Sequence, residues 1–251
     1  MSKIYLKSPE EIQAMKEGGA ILRAMFEELV PTVKAGMTTN KINDFAEHFF
    51  KNKGVAASFK TVPGYSWATC TTINEQAVHT PPSERQLTEG DILTIDAGVL
   101  HKGFHTDSAV TIAIGTIPKE TQRFLDVGKQ TLEKVLTFFK PGTYLGKPAQ
   151  FIQHEIEKAG YFILKELTGH GVGQELHEDP YVFNFLHKPI NKTVKIKPGM
   201  TLAVEIIYST GTEDIAYEGS EEWSIITADR SLSACFEKTI AITEKQTFIL
   251  T

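Results

Sequence analysis

The sequence predicts an α+β fold in which two similar halves contribute strands to one sheet backed by four helices. A helix, helix, strand order occurs twice along the 251 residues, and no linker separates the two occurrences. Two glycine-based intervals also recur. They are the 18 residues from Gly36 to Gly54 and from Gly142 to Gly160, and the six residues from Gly90 to Asp96 and from Gly199 to Glu205. We expect one domain over 1–251 with duplicated halves of about 1–116 and 117–251, the alternative being a chance coincidence of spacings.

The first helix has clear boundaries in the sequence. Ser8 is a good N-cap residue, Pro9 suits the first turn, and Glu11 completes a capping box. Apolar residues then recur at helical spacing as far as Leu29. We expect the helix to stop at Val30-Pro31, because a residue before proline avoids helical geometry.

The other three helices are predicted from the same kinds of signal. Apolar residues at helical spacing follow Gly36 and lead to the C-cap candidate Gly54. In the second half, Ile117-Pro118 opens a long helical pattern to about Phe139, and a fourth helix ends at Gly160.

The first strands are predicted to form a β-hairpin. Two β-rich runs, DILTIDAGVL and GFHTDSAVTIAI, flank a turn at His101-Lys102-Gly103. If two residues form the turn, Asp96 and Asp107 lie on the same face of the sheet, directly opposite or diagonally related. An odd-length or bulged turn would separate them.

Composition and charge exclude several classes of protein. The formal net charge is −5 without a polybasic run, which argues against a nucleic-acid substrate. Cys70 and Cys235 are too few for a disulfide framework. The sequence shows neither a signal peptide nor a run of ~20 apolar residues, so we expect a cytoplasmic protein without a membrane anchor.

Acidic side chains within strands indicate a metal site. Asp96, Asp107, Glu205 and Glu237 all lie in β-rich runs, where acids are uncommon, and His170 lies between two glycines. For any single acid the alternative is a solvated strand residue, and a lone histidine is more often structural. Four carboxylates and one imidazole without thiolates suit Mn²⁺, Fe²⁺ or Co²⁺, and four negative charges balance two divalent ions.

The same residues, with two further histidines, resemble the methionine aminopeptidases of the bacterial type I form. The matching motifs, in chain order, are TINEQAVH with His79, TIDAG with Asp96, HTDSA with Asp107, TGHGVG with His170, LHEDP with His177, VEII with Glu205 and SACFEKT with Glu237. The resemblance covers essentially the whole chain. It implies the pita-bread fold, in which pseudo-two-fold halves form a curved, mostly antiparallel sheet.

The resemblance also implies an activity and a role for each residue. The activity is removal of the N-terminal methionine from nascent proteins, preferably before a small second residue, by a hydroxide between two metal ions. Asp107 and Glu237 would bridge the ions, and Glu205 would be both a ligand and a proton shuttle. His79 and His177 would bind the scissile amide and the developing intermediate. The metal ligands would be Asp96, Asp107, His170, Glu205 and Glu237.

The resemblance further implies a pocket for methionine and a set of partners. The pocket residues would be Tyr65, Cys70, Trp223, Phe59 and Leu176. Family members often have aromatic residues where this chain has Val62 and Leu176, and Cys-His-Gly where it has Val78-His79-Thr80, so the shape of the pocket is expected to differ. A monomer that associates transiently with the ribosome is expected.

Two alternatives are compatible with parts of this pattern. A prolidase or proline-specific aminopeptidase would share the five ligands but usually carries an additional N-terminal domain. A non-enzymatic binding module with the same duplicated fold would lack several ligands, whereas this chain has all five. Cys235 is expected to be a packed residue and not a nucleophile.

Overall fold

A computed structural model describes residues 4–219 and 223–251, which form four α-helices and thirteen β-strands. The helices are α1 (Pro9–Leu29), α2 (Thr39–Lys53), α3 (Lys119–Val135) and α4 (Gly146–Lys158). The strands are β1 (Ala56–Ala57), β2 (Thr69–Ile73), β3 (Gln76–Val78), β4 (Ile92–His101), β5 (Phe104–Ala113), β6 (Phe162–Ile163), β7 (Gly169–Gly171), β8 (Glu178–Val182), β9 (Thr201–Ser209), β10 (Ile215–Tyr217), β11 (Ile225–Thr227), β12 (Ser233–Ile242) and β13 (Thr247–Ile249).

Helix α1 begins at Pro9 and ends at Leu29, as the sequence predicts, but the residue after it differs in backbone geometry from the prediction. The Ser8 hydroxyl accepts from the Glu11 amide at 3.3 Å, and the Glu11 carboxylate accepts from the Ser8 amide at 2.7 Å, which confirms the capping box. The prediction that Val30 leaves helical geometry is wrong, since Val30 has φ −54° and ψ −43° and begins a 3₁₀ turn over Val30–Thr32. Proline is tolerated there because Pro31 lies in the first turn, where its missing N–H is not required.

The strands are antiparallel but form three sheets, so the single sheet expected from the sequence is divided. In the four-stranded sheet, β4 pairs with β5 along its whole length, and β2 and β1 follow one another along its other edge. A six-stranded sheet has the order β13-β12-β9-β7-β8, with β6 also paired to β9. A short three-stranded sheet, β10-β11-β3, lies beside them.

The four-stranded and six-stranded sheets meet along a seam between β5 and β12, which hydroxyl groups hold together. The Thr239 hydroxyl donates to the Asp107 carbonyl and accepts from the Asp107 amide, both at 2.8 Å. The Ser108 hydroxyl donates to the Glu237 carbonyl at 3.0 Å. Thr111 makes the same kind of double contact with the backbone of Cys235, at 2.7 and 3.0 Å. These bonds hold β5 and β12 side by side without a backbone ladder between the two strands.

The glycine intervals found in the sequence correspond to matching backbone geometry. All six glycines of those intervals have positive φ, between 69° and 95°. The Gly36 amide donates to the Leu87 carbonyl at 2.8 Å, and the Gly142 amide donates to the Ile196 carbonyl at 2.9 Å. The repeated spacing therefore marks turns that only glycine forms without strain.

The helices cover the sheets on one side. Apolar residues of α1 and α2 pack with β2 and β4, and those of α3 and α4 pack with β9 and β12. In the part of the chain that the structure describes, no helix combines the length and apolarity that crossing a lipid bilayer demands.

One close contact between helix and sheet gives a test of this packing. A Cβ atom at Gly128 on α3 would lie 2.4 Å from the hydroxyl oxygen of Tyr208, a fully buried residue whose hydroxyl accepts from the Gly128 amide at 3.2 Å. We expect Gly128→Ala to lower the free energy of unfolding by about 2 kcal/mol, because overpacking exceeds the gain in helix propensity. Urea unfolding measures this, with the exposed Lys129→Ala as control. A Gly128→Ala variant as stable as the wild type would contradict the packing.

Candidate metal centre

The hairpin β4–β5 places two acids on one face of the sheet, as predicted. Its turn consists of Lys102 and Gly103, with φ of 50° and 82°, which is the positive-φ pair typical of a two-residue hairpin turn. Asp96 pairs with Ala109, and Asp107 pairs with Gly98, so the two carboxylates are diagonal neighbours.

Strands β9 and β12 supply two more acids, and β7 supplies the histidine. Glu205 and Glu237 are direct cross-strand partners. His170 pairs with Ala203, two residues before Glu205, so its ring lies on the same face. The His170 Nε2 atom is 4.0 Å from both the Asp107 Oδ2 and the Glu205 Oε1 atoms.

These five side chains converge across the seam. One ligand atom each from Asp107, His170 and Glu237 lies within 4.8 Å of the others, and all three residues are buried. Asp96 and Glu205 line the same cavity. The residues proposed as metal ligands therefore share one site, although they come from five strands of two sheets.

The acids are in an environment that favours a cation. Burial raises the pKa of Asp107 to about 7 and that of Glu205 to about 8. Burial, followed by the charges of Asp107 and Glu205, raises the pKa of Asp96 and Glu237 well above the ordinary value. Among the described residues, no lysine or arginine forms an ion pair with any of the four carboxylates. A bound cation would supply the missing positive charge and stabilise the ionised form of all four carboxylates.

Unpartnered atoms and the histidine tautomer test whether these residues fit a metal. The Asp96 Oδ1 and Glu237 Oε1 atoms are buried and have no hydrogen-bond partner among the described residues. The His170 Nδ1 atom is 2.8 Å from the Gly171 carbonyl, which can only accept, so Nδ1 carries the proton. Burial lowers the pKa of His170 to about 3, and the free electron pair of its Nε2 faces the acids. Oxygen acceptors without donors and a correctly oriented neutral imidazole fit a divalent cation.

The raised pKa values predict how the metal-free protein responds to pH. Above about pH 7.5 the buried His79 and His170 are neutral in the folded and the unfolded states, whereas the folded protein still holds protons on acids that the unfolded chain has lost. Stability therefore falls as pH rises from about 7.5 to 9. We expect the melting temperature of chelator-treated protein to drop by about 3 to 6 °C over this range. Saturating Mn²⁺ should remove the drop, because it binds deprotonated carboxylates. A rise in melting temperature without metal would contradict this.

His79 and His177 lie at the edge of the acid cluster. Both rings are exposed to the cavity, and the His177 ring centroid is 4.5 Å from that of His170. His79 has φ 63°, a left-handed conformation that directs the chain out of β3. The surrounding protein restricts hydration and lowers the pKa of His79 to about 4 and that of His177 below its usual value. Both imidazoles are therefore neutral near pH 7.

An aromatic pocket adjoins the cluster. Phe59, Tyr65, Cys70 and Leu176 form a buried group, against which Val62, Trp67 and Trp223 pack. Tyr65 is its centre, with ring centroids 5.3 Å from Trp67 and 5.1 Å from Trp223. The Tyr65 hydroxyl donates to the Thr69 carbonyl at 2.9 Å and contacts the Cys70 sulfur at 3.1 Å.

The structure brings every site residue predicted from the sequence to one cavity. Val62 and Val78, where the sequence departs from the family pattern, line it too. Sequence reasoning missed Trp67, which packs on Tyr65 from a loop without periodicity. It also missed the Gly171 carbonyl, which only the fold brings to His170. Cys235 is buried, as expected, with its sulfur 3.9 Å from Glu205 Oε2.

Comparisons with known proteins agree over the full length of the chain. A family model described as metallopeptidase family M24 matches residues 13–244. Methionine aminopeptidase 1 of Bacillus subtilis is 38% identical over 248 residues, which are 99% of both chains. The methionine aminopeptidase of Escherichia coli is 32% identical and covers 99% of this chain and 94% of its own.

Solved structures give the same result. The crystal structure of a methionine aminopeptidase from Thermotoga maritima superposes with a TM-score of 0.95 at 35% identity, over 99% of both chains. A prolidase from Pyrococcus furiosus gives a TM-score of 0.79 at 20% identity, and the match covers 98% of this chain but 65% of that one. The prolidase therefore shares the fold with this chain.

Proposed function

This chain belongs to metallopeptidase family M24, and on that premise we propose that it removes the N-terminal methionine from peptides and nascent polypeptides in a metal-dependent hydrolysis. The observation that carries the proposal is the convergence of four carboxylates, two of them buried and two partly buried, and a neutral imidazole beside an aromatic pocket. A preference for a small second residue is part of the proposal.

The metal-binding part of the proposal concerns five residues and two cations. Asp96, Asp107, His170, Glu205 and Glu237 would hold the ions, with Asp107 and Glu237 shared between them. Cobalt, manganese and iron are the candidate metals, because oxygen and imidazole ligands without thiolates suit them. When bound, such ions lower the pKa of a coordinated water towards ~7 and so supply hydroxide near neutral pH.

The protein's own groups would orient the substrate and move protons. Glu205 is only half-buried, so its carboxylate can receive a proton at the cavity surface and pass it to the leaving amine. His79 and His177 are neutral and open to the cavity, and each can donate an N–H to the scissile amide or to the developing oxyanion.

The pocket would bind the methionine side chain. Aromatic edges and the Cys70 sulfur surround a space suited to a thioether, which makes favourable contacts with aromatic rings. Leu176 and Val62 replace larger side chains common in the family and would widen this space. Packing of Tyr65 between two tryptophans would keep the pocket rigid.

The cellular setting completes the proposal. A substrate that is the first residue of an emerging chain places the protein in the cytoplasm, in transient contact with the ribosome. A monomer suffices, because all five ligands and the pocket come from one chain.

A metal titration tests the function directly. The chelator-stripped protein is titrated with Mn²⁺, Fe²⁺ or Co²⁺ while methionine release from Met-Ala-Ser is measured, with Ala-Pro as the comparison substrate. We expect release from Met-Ala-Ser to return with added metal and Ala-Pro to remain intact. Faster cleavage of Ala-Pro would identify a proline-specific peptidase, and a folded protein inactive with every ion would identify a binding module.

A further inference from the structure

The segment before α1 holds the loop that carries His177 and Leu176. Lys7 is almost fully buried, with 1% of its side chain exposed, and forms an ion pair with Glu178, the residue that follows His177. The Lys7 backbone is itself fixed, because its amide donates to the Gly199 carbonyl at 2.7 Å. Lys7 is thus tied both to the end of the loop, at Glu178, and to the segment before β9, at Gly199.

The loop is built closely around the Lys7 side chain. A Cβ atom at Gly173 would lie 2.1 Å from the Lys7 Cε atom and 2.5 Å from its Nζ atom, so glycine is required for this approach. The Glu178 Oε1 atom accepts from the Glu175 amide at 3.1 Å, and the Gly173 amide donates to the Glu175 carbonyl at 3.0 Å. Lys7, Gly173 and Glu178 therefore define the path of the chain from His170 to His177.

Neither partner of this ion pair belongs to the metal cluster. Lys7 does not line the cavity with the ligands, and Glu178 lies on β8, with its carboxylate directed to Lys7. The loop between β7 and β8 ends in two residues that line the cavity, Leu176 and His177. A buried ion pair that loses one partner leaves an uncompensated charge, so the chain around it moves.

We propose that Lys7 is a positioning residue for hydrolysis, which holds Glu178 and so places the His177 imidazole against the scissile amide. The proposal rests on the proposed aminopeptidase function. Because His170 is held separately by its pairing with Ala203 on β9, loss of Lys7 should displace His177 and leave the metal ligands in place.

A double-mutant cycle separates this role from a merely structural one. In the wild-type background, Lys7→Met is expected to lower kcat for Met-Ala-Ser by about tenfold or more. In a His177→Ala background, where no imidazole remains to be positioned, the same change should alter kcat by less than about twofold. Glu178→Gln, which is nearly isosteric, should reproduce both results and serves if Lys7→Met fails to fold. The control is Lys134→Met, which removes an exposed ion pair with Glu155 and should leave kcat unchanged.

Three outcomes would overturn the proposal. Equal losses of kcat in both backgrounds would show a general structural effect. A parallel loss of Mn²⁺ affinity, measured by calorimetry, would show that the pair acts on the metal ligands. Unchanged kcat in Lys7→Met would remove the role entirely. Failure of the wild-type protein to release methionine with any metal would instead reject the proposed function, so the two are distinguishable.

Discussion

Asp107→Asn is expected to lower kcat/KM for Met-Ala-Ser by about 1,000-fold or more while the protein stays folded, because Lewis-acid stabilisation contributes several kcal/mol. Asp107 lies 4.0 Å from His170 Nε2 and forms the compact group with His170 and Glu237. Its backbone is held by Thr239, and asparagine keeps those bonds. The substitution therefore removes one charge and changes little else.

Metal analysis shows whether the loss has the expected cause. Asp107→Asn should bind Mn²⁺ at least about 100-fold more weakly than the wild type by titration calorimetry. Asp126→Asn is the matched control, since it removes one charge from an exposed position on α3 and should retain both metal and activity. An Asp107→Asn protein with full metal content and full activity would exclude Asp107 as a ligand.

His79→Ala is expected to give the opposite combination, with metal content retained and kcat lowered by about 100-fold. His79 lines the cavity but is not part of the compact ligand group, and its pKa of about 4 keeps it neutral near pH 7. Loss of one hydrogen-bond donor to a developing oxyanion typically costs about 3 kcal/mol. The KM for Met-Ala-Ser should change much less than kcat.

The backbone at this position calls for a second variant. With φ 63°, alanine adds a left-handed strain of about 1 kcal/mol, whereas asparagine tolerates this conformation. His79→Asn should therefore lose the same factor in kcat as His79→Ala while retaining more stability. Metal loss in both variants would mean that His79 supports the ion site and does not act on the substrate.

Local signals in the sequence predicted those parts of the fold that depend on neighbouring residues. The capping box at Ser8 and the two-residue turn at Lys102-Gly103 act within a few residues, and both are present in the structure. The length of the turn also set the register of the hairpin. Because side chains alternate between the two faces of a strand, that register placed Asp96 and Asp107 on the same face. The resemblance to the family motifs then predicted which residues line the cavity, without any information on their positions in space.

Features that depend on distant contacts had no such signal. Strand β7 is three residues long, Gly169–Gly171, and has no alternating pattern to mark it. The division into three sheets follows from how β5 and β12 approach one another, which single-strand patterns do not encode. The backbone geometry of Val30 was mispredicted, because a 3₁₀ turn relieves the constraint that proline imposes on an α-helix. Lys7 lies 171 residues from Glu178, beyond the reach of any local pattern.

The hydroxyl contacts between β5 and β12 have a consequence for how precisely the candidate metal ligands are spaced. Two strands joined by backbone hydrogen bonds can shift their register by whole residues and still form a full set of bonds. The hydroxyl groups of Thr239, Ser108 and Thr111, by contrast, each bond to one particular backbone group on the facing strand. A shift of one residue would break all three matches together, so intermediate alignments are excluded. The hydroxyl groups of Thr239, Ser108 and Thr111 thereby fix the positions of the Asp107 and Glu237 carboxylates relative to one another.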